Sequence, residues 1–178
     1  YEITTRLVGS EMCIRDRPSG TPAYKDNSPI VSATDRCNMV KLAIKPFDYM
    51  SLSTIETDRP GNTYTADTLA QIYDSYKKIY FIIGADSLLY IQDWYHPEYI
   101  CSHCHLLCAN RDNNSASVLI DQKHFLADKY GAVIDFIDVP ELPYSSTDIR
   151  KKVAMGLSVK EDVGEEVEEY IKSRKLYV

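Results

Sequence analysis

Long hydrophobic runs are missing from this chain of 178 residues. The longest are of the kind Tyr80-Phe81-Ile82-Ile83, far short of the roughly 20 residues that cross a bilayer as a helix, so no membrane association is expected. Basic clusters are missing too. No Lys/Arg run exceeds Lys77-Lys78 or Arg150-Lys151-Lys152, and the net charge is -6, which argues against general nucleic-acid binding, because that needs a basic face. Any phosphate ligand must therefore be held locally. Glycine is scarce, at seven residues against fourteen tyrosines, which argues against a disordered or low-complexity chain. Five cysteines are an odd count with no secretory signal, and the expectation is reduced thiols in the cytoplasm. What is present, 44% apolar and 11% aromatic residues, suits one globular domain large enough for a real core.

Residues 1–17 read differently from the rest, with scattered charges, no sustained period and no acceptable start methionine. Leu7-Val8-Gly9-Ser10-Glu11-Met12-Cys13-Ile14-Arg15-Asp16-Arg17 resembles translated adapter sequence, and 1–17 is set aside as a non-native segment. Residues 18–178 are expected to form a single domain. Pro18-Ser19-Gly20-Thr21-Pro22 is a turn-forming loop that ends near Lys25. A helix is predicted from Ala33 to Lys45, stopped by Pro46, then a strand from Met50 to Ile55. Leu69, Ile72, Tyr73 and Tyr76 fall at i, i+3, i+4 and i+7 of a second helix. Ile79 to Ile83, closed by Gly84, has the composition of a strand buried on both faces of a parallel sheet. Leu106 to Ala109 and Val133 to Val139 are further strands, Ser115 to Tyr130 a helix ending at Gly131, and Gly164 to Lys175 a last helix with acids first and bases last. Helices alternating with short apolar strands predict a parallel α/β sheet, with ligands in the crevice beyond the strands' carboxyl ends.

Two stretches carry polar groups that could do chemistry. In Pro143-Tyr144-Ser145-Ser146-Thr147-Asp148-Ile149-Arg150, each of the three hydroxyl residues can cap the helix that follows. The same hydroxyls, with free backbone N–H groups and an arginine near the first turn, also suit a phosphate. Both readings stand. The second stretch, Cys101-Ser102-His103-Cys104-His105 with Cys108, matches a haem-attachment pattern literally and contains metal-ligand residue types. It lacks a second, distant ligand pair, His124 being alone, so the expected account is buried small cysteines at the start of a strand.

Taken together, Arg59-Pro60-Gly61-Asn62-Thr63-Tyr64-Thr65-Ala66-Asp67-Thr68-Leu69, then Phe81-Ile82-Ile83-Gly84-Ala85-Asp86-Ser87-Leu88 with Trp94, then Ser145-Ser146-Thr147-Asp148-Ile149-Arg150, resemble the bacterial nicotinate-nucleotide adenylyltransferases. The helix Arg36-Cys37-Asn38-Met39-Val40-Lys41-Leu42-Ala43-Ile44 adds to the match, which covers 18–178. The resemblance implies a Rossmann-like nucleotidylyltransferase fold and transfer of AMP from ATP to nicotinic acid mononucleotide, giving deamido-NAD and pyrophosphate in NAD biosynthesis, with Mg2+ accompanying ATP. It implies that Tyr64 and Thr65 receive the nicotinate carboxylate, that Trp94 stacks on the pyridine, and that Arg111 lies near the substrates. It further implies that Gly84 and Asp86 approach the nucleotide and that Ser145, Ser146, Thr147 and Arg150 clamp the ATP phosphates, with Lys25 adding charge from its loop. A homo-oligomer is left open.

The chain departs from the family at its front. The family's first strand and its Gly-Gly-Thr-Phe-Asp-Pro-x-His-x-Gly-His-like loop are absent, and no histidine precedes His96. The expected fold therefore lacks its central first strand, apolar neighbours of that strand are expected to be exposed, and residues 1–178 alone are expected to be inactive. The alternatives are a related adenylyltransferase acting on nicotinamide mononucleotide or pantetheine phosphate, and a nucleotide-binding fragment without catalysis.

Overall fold

Ser32 starts the first long helix. Its Oγ accepts from the Asp35 backbone N–H at 3.0 Å, satisfying one of the donors a helix start leaves open, and helix α1 (Ala33–Ile44) follows. The computed structural model describes residues 13–22, 31–76, 78–110, 116–139 and 145–178. These residues divide into two compact units, 1–62 with 144–178, and 63–143.

In the first unit, β1 (Ile14–Asp16) pairs in parallel with β3 (Met50–Leu52), Ile14 opposite Met50 and Asp16 opposite Leu52. Arg17 continues the contact with an ion pair to buried Glu56 at 2.7 Å. Part of the segment set aside from the sequence thus takes part in this unit. A ladder is made by backbone groups, so it records an available edge on β3 rather than the provenance of the residues that fill it. A short strand β2 (Thr21–Pro22) lies between them in sequence. Strand β3 is shorter than expected because the chain turns at Thr54, whose carbonyl accepts from the Asp58 N–H at 2.9 Å and whose hydroxyl donates to the Asp58 carboxylate at 2.6 Å.

The rest of this unit is helical: α6 (Ser146–Ala154), the single turn α7 (Lys160–Val163) and α8 (Glu165–Arg174). Val153, Val159, Val167, Ile171 and Leu176 form its buried cluster, with Met39 and Leu42 of α1 against it. Asp35, buried, joins α1 to α8. It accepts from the Ser32 hydroxyl at 2.6 Å, the Tyr170 hydroxyl at 2.8 Å and Arg174 Nε at 3.1 Å, and these bonds, Ser32's first, hold its carboxyl below the usual range.

Glu168 performs a similar task within the helices. It accepts from the Ser158 hydroxyl at 2.7 Å and the Val159 N–H at 2.8 Å and pairs with Lys172 at 2.9 Å. The Ser158 bond, then Lys172 and the Val159 amide, hold its carboxyl down to about 2 from an ordinary 4.5. A carboxylate with a depressed folded pKa stabilises the native state fully above the unfolded value, and this contribution fades as pH falls from about 4.5 towards about 2. Glu168→Gln should therefore melt several degrees below the wild type at pH 7, with the gap closing through that acid window. Thermal melts at a series of pH values check this, and a gap that is constant or widens on acidification would be the contrary result.

In the second unit, β4 (Asn62–Thr63) enters from the boundary and α2 (Thr65–Ile72) follows. The helix tightens into a 3-10 turn over Tyr73–Ser75. That change of pitch rotates Tyr73 and Tyr76 off the apolar stripe expected for them, leaving them 42% and 39% exposed. Strands β5 (Tyr80–Gly84), β6 (His105–Asn110) and β7 (Val133–Asp138) make a three-stranded sheet in that order, every neighbour parallel. Phe81, Leu106 and Ile134 share one register row.

Helices α3 (Ala85–Tyr90), α4 (Pro97–His103) and α5 (Ala116–Tyr130) provide Leu88, Ile100 and Leu126, which are fully buried against Leu106 and Cys108. The reverse face is different. Ile82 is 50% and Val133 55% exposed, so β5 is not buried on both faces as its unbroken apolar run suggested. Among the described residues β5 is an edge strand, with β6 as its only ladder partner. A continuous apolar run reports the composition of a strand and not which of its faces is covered.

Candidate functional site

The parallel register of β5 and β6 brings their carboxyl ends, Gly84 and Asn110, towards one edge of the second unit. Gly84 is extended (φ -78°) and caps α3, and a Cβ placed on it would meet nothing within 4 Å. This is open space of the kind a ligand needs for close backbone approach. Asp86 follows in the first turn of α3 with its side chain exposed.

Tyr64 is the N-cap residue of α2, with no side-chain cap bond, and Thr65 is the first helical residue. The Tyr64 carbonyl accepts from both the Thr68 N–H at 3.2 Å and the Thr68 hydroxyl at 3.3 Å, and Thr68 is fully buried, so this helix start is rigidly anchored. The Tyr64 ring lies 4.5 Å from the ring of Tyr95. Trp94, next to Tyr95, ends a 3-10 turn over Ile91–Asp93 and donates its N–H to the Ile91 carbonyl at 3.1 Å. Its ring stands edge-on to Phe81 of β5 at 6.4 Å and is half-buried against the core. The fold thus brings the Tyr64-Thr65 helix start, the Trp94-Tyr95 segment and strand β5 into one region. Tyr95, His96 and Glu98 were not singled out from the sequence. The signal available for them was Pro97, which restricts the residue before it.

In the first unit, Ser145 is the residue that caps α6. Its Oγ accepts from the Asp148 N–H at 3.0 Å and donates to the Asp148 carboxylate at 2.6 Å. Ser146 and Thr147 occupy the exposed first turn, and Arg150 donates to the Thr147 hydroxyl at 3.3 Å. Ser145 therefore serves as the cap of the helix, while Ser146, Thr147 and Arg150 are exposed.

Nearby, burial pushes the Tyr177 phenol up, opposed by the positive charges of Arg150 and Arg36. Arg36 also donates to the carbonyls of Ser19 and Gly20, the latter at 3.0 Å, tying the Pro18-Ser19-Gly20 turn to α1. Lys25, Arg111 and Tyr144 lie outside the described residues.

The cysteine and histidine stretch has other occupations. Cys101 lies in α4 rather than at a strand start, whereas Cys104, extended at the end of that helix, leads directly into β6, which carries Cys108. Cys101, Cys104 and Cys108 are buried. Burial, and secondarily the charge of Glu98, pushes the Cys101 thiol up to about 11, which keeps it protonated and inert at neutral pH. The Cys104 thiol donates to the Ile100 carbonyl, His103 stacks on Tyr99 at 3.8 Å, and His105 Nε2 pairs with Asp135 at 2.9 Å. Among the described residues no three His, Cys, Asp or Glu side chains gather as a metal site, and no helix is long and apolar enough to cross a membrane.

The Cytidylyltransferase-like family model matches residues 8–152. The chain is 36% identical over 163 residues to a "Probable nicotinate-nucleotide adenylyltransferase" of Lachnoclostridium phytofermentans, covering 90% of this chain and 82% of that one. It is 37% identical to the protein so described from Moorella thermoacetica, covering 90% and 75%. Among solved structures it resembles the nicotinic acid mononucleotide adenylyltransferase of Plasmodium falciparum complexed with APC (16% identity, TM-score 0.70) and with NaAD (17%, TM-score 0.71), each covering 93% of this chain and 82% of the other. At that identity the structural likeness speaks for the fold alone.

Proposed function

This chain belongs to the nicotinate-nucleotide adenylyltransferases, within the cytidylyltransferase-like family, and from that membership we propose that it serves NAD biosynthesis by transferring AMP from ATP to nicotinic acid mononucleotide. The observation that carries the substrate side is the meeting of the anchored Tyr64-Thr65 helix start with the Trp94-Tyr95 segment, seen in the 4.5 Å Tyr64–Tyr95 contact. A carboxylate-bearing pyridine suits that pair, because backbone N–H groups at a helix start accept the anion and an indole face accepts the ring.

In the reaction, a phosphate oxygen of the mononucleotide forms a bond to the α-phosphorus of ATP, the bond from that phosphorus to the bridging oxygen breaks, and pyrophosphate departs with deamido-NAD as the other product. The nucleophile belongs to the substrate, so no covalent enzyme intermediate arises. The protein's task is alignment and charge stabilisation. Tyr64, Thr65 and Trp94 hold the pyridine end. Gly84 leaves room for the nucleotide to approach the backbone, and the Asp86 carboxylate accepts hydrogen bonds from its hydroxyl or amino groups. Ser146, Thr147 and Arg150, with Ser145 at the cap, receive the ATP phosphates, and Lys25 and Arg111 add positive charge. Residues 18–178 form one nucleotidylyltransferase domain without the family's histidine-bearing phosphate loop, and residues 14–17, though foreign in composition, pack on its first unit.

Magnesium suits this chemistry as a partner of the triphosphate. It commonly takes one or two carboxylates along with substrate phosphates. Bound there, it would neutralise phosphate charge.

Trp94 is the sole tryptophan, so intrinsic fluorescence reports a single ring. Nicotinic acid mononucleotide should quench it saturably and at lower concentration than nicotinamide mononucleotide. No response to either would remove the pyridine reading, and a stronger response to the amide would favour the alternative substrate. Pyrophosphate release in the same samples tests the expectation that residues 1–178 do not turn over without the family's histidine-bearing loop.

A further inference from the structure

The link from Trp94 to α4 passes through a residue in an unusual conformation. His96 lies in the left-handed region, φ 50° and ψ 59°, which L side chains adopt reluctantly, Asn, Asp and His less so than β-branched or bulky residues. Pro97 follows, and its ring disfavours helical backbone in the residue before it. Two separate penalties fall on one residue, and such strain persists only where the surroundings over-determine it.

Here they do. The His96 carbonyl accepts from the Tyr99 N–H at 3.1 Å and the Ile100 N–H at 3.2 Å, which starts α4 on the fully buried Ile100. The imidazole Nδ1 lies 2.9 Å from Glu98 Oε1, a bond that is the main cause of the lowered Glu98 pKa. The Tyr95 ring packs edge-on against the imidazole at 4.1 Å, and Tyr64 packs on Tyr95 in turn. An unbroken line of contacts therefore runs from the core end of α4 to the start of α2, and Trp94 is attached to its middle.

We propose that His96 is a positioning residue: its left-handed backbone, held by Glu98 and Tyr95, sets the direction of the Trp94-Tyr95 segment and so the ring that meets the pyridine. The substrate half of this inference rests on the proposed function; the positioning half does not. His96 touches no reacting atom and acts through Trp94. Its requirement is conformational, so a residue that tolerates left-handed backbone replaces it and a β-branched residue does not.

The test uses the full chain and its single tryptophan. His96→Val, His96→Ala and His96→Asn are compared with the wild type by acrylamide quenching and near-ultraviolet circular dichroism without ligand, and by fluorescence titration with nicotinic acid mononucleotide. His96→Val should change the ligand-free signals of Trp94 and weaken the mononucleotide by roughly tenfold, the scale of a lost aromatic contact. His96→Asn should restore both. His96→Ala, the milder change, supplies the comparison if the valine variant does not fold. Wild-type behaviour in the valine and alanine variants overturns the proposal, as does an asparagine variant as impaired as the valine. A wild type that ignores the mononucleotide, while His96→Val still alters the ligand-free signals, removes the substrate reading and upholds the positioning.

Discussion

Arg150→Ala should weaken ATP binding by roughly 10- to 100-fold, the scale of removing a charge-assisted hydrogen-bonding group from a phosphate, while leaving the melting temperature nearly unchanged. The second half follows from the environment of the side chain. Arg150 is exposed, and among the described residues its hydrogen bond is a single 3.3 Å contact to the Thr147 hydroxyl one turn earlier. Such a contact contributes little to folding. The helix keeps its cap in the variant, because Ser145 and Asp148 make those bonds without Arg150. Arg150→Lys should fall between wild type and alanine, since an ammonium keeps the charge but loses the planar fork. Calorimetric titration with ATP at fixed salt measures all three. Unchanged affinity in the alanine variant would leave Ser145-Ser146-Thr147-Asp148-Ile149-Arg150 as a helix cap and nothing more.

Leu106→Ala should cost about 2–5 kcal/mol of stability, the range for emptying a leucine site in a packed core, lowering Tm by roughly 2–4 °C for each kcal/mol in a chain of this size. Leu106 is fully buried on the central strand β6 and shares a register row with Phe81 and Ile134. Helices cover that face, so no solvent can enter to fill the void and the neighbours cannot collapse from both sides. Ile82→Ala is the internal contrast. Ile82 lies on the next strand but is half exposed on the opposite face, and its truncation should cost far less. Chemical denaturation of the two variants side by side decides the matter. Equal losses would mean that the reverse face of the sheet is covered in solution.

How much of this was legible beforehand varies by residue for physical reasons. α1, α5 and α8 were readable because each is long and punctuated: Pro46 after α1, Gly131 after α5, acids then bases along α8. The short helices α3, α4 and α7 were not. None exceeds seven residues, too few for a period to stand out, and each depends on its neighbours, α3 following β5, α4 leading into β6 and α7 packing on α8. Cys101, Cys104 and Cys108 were read as buried at the start of a strand, which holds for Cys104 and Cys108 but not for Cys101, which lies in α4. Burial follows from the apolar character of a thiol, whereas the element depends on Pro97 opening a helix through a left-handed His96.

The site divides along the same line. Sequence by itself determined the family, because three motifs in a fixed order carry backbone requirements that few chains share: a hydroxyl-rich helix start, a glycine ending a strand, and a capped helix with an arginine in its first turns. It determined the α/β class and the chemistry of the candidate ligands as well. Only tertiary structure decided which of the three hydroxyls caps α6, which face of β5 is covered, and that Tyr64, at a helix start, meets Tyr95 from 31 residues away in the chain. These outcomes depend on contacts between elements distant in sequence, and no local propensity encodes them. Trp94 belongs to both sides: its identity was visible at once, and its setting, between Phe81 and the strained turn at His96, was not.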